Sequence, residues 1–131
     1  MKRILFVEDD RDICDLFMDM TEHLISGSDV RVAHSVYEAR RIITEFDPQI
    51  VVTDIVMPGV HGTSLLEHIK MERQDIATCV LTGADTLDEG GIHGHIPWDR
   101  IREMTDLFET KPHGLKNVIT WAALQQANCG R

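Results

Sequence analysis

Aromatic residues make up only 5% of this 131-residue chain, and 13 lysines and arginines stand against 22 aspartates and glutamates. The resulting net charge of −9 repels phosphate backbones, so direct nucleic-acid binding is not expected, whereas a cation or a basic partner surface would be attracted. The three cysteines, Cys14, Cys79 and Cys129, are far apart and have no C-x-x-C spacing, which argues against a disulfide framework, a redox pair or a zinc ribbon. No apolar run approaches the ~18 residues that a membrane-spanning helix needs, and Met1-Lys2-Arg3 passes directly into a short apolar strand rather than a secretory leader. A cytoplasmic protein without membrane insertion is expected. Repeats, low-complexity tracts and linkers are lacking too, so residues 1–131 read as a single domain around one core.

Short apolar runs alternate with amphipathic stretches, the pattern of βαβ units around a parallel sheet buried on both faces. Ile4 to Val7 predicts a first strand, and Ile13, Leu16, Phe17, Met20 and Leu24 predict the apolar stripe of the helix after it. Val30 to Ala33 predicts a second strand. Ser35 and Glu38 have capping-box spacing and open a helix bearing Val36, Ala39, Ile42, Ile43 and Phe46, which Asp47-Pro48 stops. Ile50 to Thr53, Ala77 to Leu81 and Leu107 to Thr110 are the remaining strands. Helices hold Leu65, Leu66 and Ile69, and then Leu115, Val118, Ile119 and Ala122. Between Thr82 and Asp106, Gly83, Gly90, Gly91, Gly94 and Pro97 interrupt any helical pattern, so at most short helices are expected there.

In an open parallel sheet, ligands bind beyond the carboxyl ends of the strands. Here those ends are polar: Glu8-Asp9-Asp10, then Asp54, Thr82-Gly83 and Lys111-Pro112. Carboxylates converging at one edge repel one another, and a hard divalent cation such as Mg²⁺ relieves that repulsion. One carboxylate could then act as nucleophile toward a phosphoryl group, with Lys111 and Thr82 as candidate donors to its oxygens. His93 and His95 lie near Asp85, Asp88 and Glu89, but a glycine-rich loop is a poor frame for a metal site. Trp98 and Trp121 read as packing residues or as a partner patch.

The segments Val7-Glu8-Asp9-Asp10, Asp54-Ile55-Val56-Met57-Pro58-Gly59, Leu81-Thr82-Gly83 and Lys111-Pro112 resemble the four signatures of CheY-like response-regulator receiver domains, in an order that covers nearly the whole chain. The resemblance implies an α/β, flavodoxin-like doubly wound (βα)5 fold with a five-stranded parallel sheet of order 2-1-3-4-5 and an irregular fourth-helix region. It implies Asp54 as phosphoacceptor, with Glu8, Asp9, Asp54 and the Val56 backbone carbonyl around Mg²⁺. Lys111 would pair with the phosphoryl group, and Thr82 and Phe108 would be the switch residues. Phe108 stands where tyrosine is commoner in the family and has no hydroxyl to donate.

A receiver of this kind is a phosphorylated switch in two-component or phosphorelay signalling, catalysing only its own phosphoryl transfer and dephosphorylation. Its partners would be a histidine kinase or phosphotransfer protein and a downstream output protein, and it would be a monomer or weak dimer. Apolar Val56 predicts slow self-dephosphorylation. Two rival readings differ in class. A Mg²⁺-dependent phosphatase of the haloacid-dehalogenase type resembles Asp-x-Asp at its nucleophile, and Val56 breaks that pattern. A receiver-like interaction module that works without phosphorylation fits the altered stretch after Thr82 but not the full set of acidic, threonine and lysine residues.

Overall fold

A computed structural model of the chain describes residues 2–55, 62–83, 98–111 and 114–125. Strands β1 (Lys2–Val7), β2 (Ser28–Ala33), β3 (Ile50–Thr53), β4 (Ala77–Gly83) and β5 (Leu107–Lys111) alternate with helices α1 (Arg11–Leu24), α2 (Val36–Phe46), α3 (Gly62–Glu72), α4 (Trp98–Glu103) and α5 (Leu115–Leu124). The strands form one parallel sheet in the order β2-β1-β3-β4-β5, as expected.

Strand period sorts the core into layers. Ile4 and Phe6 of β1, Ile50 and Val52 of β3, and Cys79 and Leu81 of β4 pack with Phe17 of α1 and with Leu115, Val118 and Ile119 of α5. The alternate residues Leu5, Val7 and Val51 meet Val36, Ala39 and Ile43 of α2 and Leu65 and Ile69 of α3. A smaller cluster of Ile55, Leu66, Val80 and Ile101 supports α4, with Met104 and Phe108 at its margin. Each fully buried Phe, Leu or Ile contributes about 1.5–3 kcal/mol through burial, so helices on both faces are tied to the central strands. Among the described residues, no helix is long and apolar enough to cross a membrane.

Helix α1 is rotated from the expected stripe. Phe17 is buried and Ile13 and Met20 pack against the core, but Leu16 and Leu24 are largely exposed while Cys14 and Thr21 are buried. At roughly 100° per residue, positions 14, 17 and 21 share a face from which position 16 is turned well away. Cys14 and Thr21 can fill it because their polar atoms bond backbone carbonyls, Thr21 Oγ1 donating to Phe17 O at 2.7 Å. At α2, Ser35 accepts the Glu38 N–H at 3.1 Å, whereas the Glu38 carboxylate accepts the N–H of His34 at 2.7 Å, one residue earlier than capping-box spacing suggests. The helix ends at Asp47, whose left-handed φ of 53° turns the chain into β3.

Helix α4 is described over six residues, and the irregularity expected between Thr82 and Asp106 falls mostly on residues 84–97, which lie outside the described residues. Before α5, Gly114 donates to Thr110 O, and a Cβ there would stand 2.5 Å from that oxygen and 2.7 Å from the Glu109 Cβ. Only glycine allows so close a return of the chain onto β5.

Candidate metal and phosphoryl site

Pairing continues past the ends of the central strands. Val7 is in register with Thr53 and with Ala33. One residue further, Asp54 N donates to Val7 O at 3.0 Å and Glu8 N donates to Ala33 O at 2.9 Å. Glu8 and Asp54 therefore leave adjacent strands at one level. Counting by two, Glu8 follows Ile4 and Phe6, and Asp54 follows Ile50 and Val52, so the periodicity that buries those side chains brings both carboxyl groups to the same edge.

Glu8, Asp9 and Asp54 each place a carboxylate oxygen within 4.8 Å of the others. Glu8 and Asp54 are buried, at 1% and 4% exposure, and Asp9 is exposed. Asp54 Oδ1 accepts the Ile55 N–H at 2.7 Å, and Glu8 Oε2 accepts the Asp10 N–H at 3.1 Å. The third acid of the run, Asp10, does something else: its Oδ1 caps α1 by accepting from Asp12 N at 3.0 Å and Ile13 N at 3.4 Å. Two buried carboxylates and one open to water suit a hard divalent cation, which takes carboxylate oxygens and keeps part of its water shell.

Thr82, fully buried, stands near the end of β4 in register with Thr110, and the next pair, Gly83 with Lys111, closes the β4–β5 ladder. Thr82 and the strand position of Lys111 thus flank the edge that carries Asp54. Phe108 is half-buried, with the Arg102 guanidinium of α4 over its ring at 4.7 Å. Val56, expected to lend a carbonyl, lies outside the described residues, as do Pro58, Gly59, His93 and His95.

Residues 4–91 match the family model described as the response regulator receiver domain. The chain belongs to that family. The match contains Glu8, Asp9, Asp54 and Thr82 and ends before Phe108 and Lys111. Among curated relatives, the receiver is 29% identical over 120 residues to the transcriptional regulatory protein TrcR of Mycobacterium tuberculosis, covering 89% of this chain and 42% of that protein. It is 33% identical over 88 residues to PrrA of the same species, covering 66% of this chain and 36% of the relative. The chain thus spans well under half the length of these regulators. Among solved structures, the response regulator TrrA of Thermotoga maritima, in complex with Mg²⁺-BeF, superposes with a TM-score of 0.73 at 24% identity, over 93% of this chain and 99% of that one.

Two neighbours of the receiver's acidic edge were not singled out by the sequence reading. Cys14 and His34 both reach the backbone carbonyl of Glu8, at 3.4 and 3.0 Å. A buried cysteine early in α1 and a histidine just past β2 carry no motif, so only their convergence in space reveals them.

Proposed function

We propose that this receiver accepts a phosphoryl group on Asp54, from the phosphohistidine of a histidine kinase or phosphotransfer protein, and passes the signal to an output partner by a change of conformation. The observation that carries this reading is the meeting of Glu8, Asp9 and Asp54 within 4.8 Å at the carboxyl end of the sheet. Asp9 and Asp54 would hold Mg²⁺ directly with the Val56 carbonyl, Glu8 acting mainly through water. When bound, Mg²⁺ neutralises the carboxylates and polarises the phosphoryl oxygens.

An Asp54 carboxylate oxygen attacks phosphorus, the bond to the donor's imidazole nitrogen breaks, and the electron pair returns to the ring. The bond from Ile55 N–H holds one Asp54 oxygen and so limits rotation of the nucleophile. Lys111 is assigned the pairing with the transferred group, and Thr82 the hydroxyl that responds to it. Phe108, lacking a hydroxyl, would follow by burial alone, leaving Arg102 as it moves inward. The outcome is a shift between two states of a switch rather than turnover of a substrate.

The test is intact mass after incubation with Mg²⁺ and acetyl phosphate. One phosphoryl adduct is expected in the wild type and none in Asp54→Asn. A second reading, a receiver-like module that binds partners without phosphorylation, draws on the family match ending at residue 91, short of Lys111. It would be supported by a wild type that takes no adduct from acetyl phosphate or from histidine kinases.

A further inference from the structure

The peptide unit that leads from Glu8 into Asp9 is held by two side chains that belong to neither strand nor site. Cys14 Sγ donates to the Glu8 carbonyl at 3.4 Å, and His34 Nδ1 lies 3.0 Å from the same oxygen. A carbonyl oxygen has two lone pairs and no proton, so both neighbours must be donors, which puts a hydrogen on Nδ1 of His34. The 3.9 Å between Sγ and Nδ1 is the spacing of two donors that meet at one acceptor. A thiol in its protonated form is a donor, and buried Cys14 has the Glu8 carbonyl within reach.

The fold places this carbonyl at the end of the β1–β2 ladder. Glu8 N completes the β1–β2 ladder on Ala33 O, and in a parallel pair the Glu8 carbonyl would next receive an N–H from the residue after His34. That residue, Ser35, caps α2 through its side-chain oxygen, and at this point the imidazole of His34 approaches the Glu8 carbonyl as a donor. His34 is itself fixed by its N–H to the Glu38 carboxylate at 2.7 Å. Because a peptide unit is planar, holding the Glu8 carbonyl also orients the Asp9 N–H and places the Asp9 Cα from which the side chain leaves.

We propose that Cys14 and His34 are positioning residues of the acidic site, clamping the Glu8 carbonyl so that Glu8 and Asp9 present their carboxylates together to a divalent cation. The proposal rests on the metal reading given under Proposed function. A space of about 350 Å³ beside Cys14 and His34, lined also by Arg11 and Met18, leaves room for substitution at His34 without invading the core.

The test is Mg²⁺ affinity of the full chain by titration calorimetry, with thermal denaturation in the absence of divalent cation measured beside it. His34→Leu, which removes the donor, is expected to weaken Mg²⁺ about tenfold, as loss of an outer-shell partner does. His34→Asn, whose amide nitrogen can take the place of Nδ1, is expected to restore most of that affinity. Cys14→Ala should weaken it less, about threefold, because a thiol is a weak donor. A merely structural role would lower the melting temperature without this order of affinities. Wild-type affinity in both His34→Leu and Cys14→Ala, while Asp9→Asn still loses Mg²⁺, overturns the clamp alone; a wild type that binds no Mg²⁺ overturns the metal reading and the clamp with it.

Discussion

The two ends of the sheet handle charge in opposite ways. At the carboxyl end, Glu8, Asp9 and Asp54 bring like charges within 4.8 Å. At the amino end, signs alternate. Arg73 bridges Asp47 and Asp75, the second at 3.1 Å, and Arg3 reaches Asp47 at 3.8 Å while its Nε donates to the Asp47 carbonyl at 2.8 Å. The side-chain bonds to Asp75, then those to Asp47, hold the Arg73 guanidinium above its ordinary pKa despite partial burial. One end is arranged for stability. The other keeps a repulsion that folding tolerates and that a divalent cation, under the proposed function, would remove.

The largest effect that could break this comparison lies in the chemistry. Asp54→Asn should eliminate the phosphoryl adduct seen by intact mass, and retention of the adduct would move the acceptor elsewhere. Asp9→Asn should then separate stability from function. Removing one like charge is expected to raise the unfolding free energy without divalent cation by on the order of 1 kcal/mol, or roughly 3–5 °C in melting temperature, and to abolish further stabilisation by Mg²⁺. A lower melting temperature in Asp9→Asn would show that the acidic edge is not strained by its own charges. An uncharged control close to that edge is Gly114→Ala, expected to cost about 1–3 kcal/mol in chemical denaturation because a Cβ meets Thr110 O and Glu109.

At the amino end the effects are smaller. Arg73→Ala should cost about 0.2–1 kcal/mol, since both carboxylate partners are substantially exposed and screened by water. The smallest test uses salt with no mutation. Raising ionic strength should narrow the stability gap between wild type and Asp9→Asn and also the gap between wild type and Arg73→Ala, because both repulsion and attraction are screened. Equal gaps at low and high salt would mean that neither end acts through charge.

Most of the fold was legible in the sequence, for reasons that differ by element. β3 is a continuous apolar run buried on both faces, and α2 carries a clean stripe with Ser35 before it and Asp47-Pro48 after it, so both stood out. Helix α1 was harder. Leu16 and Leu24 fit a helical period as well as Cys14 and Thr21 do, and only packing against β1 and α5 selected between the faces. The run Glu8-Asp9-Asp10 marked an acidic edge, but three adjacent acids cannot announce that two turn into the cluster while the third caps α1.

The sequence by itself determined the alternation of strand and helix, the polar strand ends and the signature residues, because periodicity and spacing are local properties of the chain. Tertiary structure alone decided the register that sets residues 8 and 54, 46 positions apart, level on adjacent strands, and that the Glu8 carbonyl would be held by Cys14 from the following helix and His34 from the neighbouring strand's end. The reason is physical: such contacts depend on strand register and on the rotation of a helix about its axis, which are set only when the whole core packs.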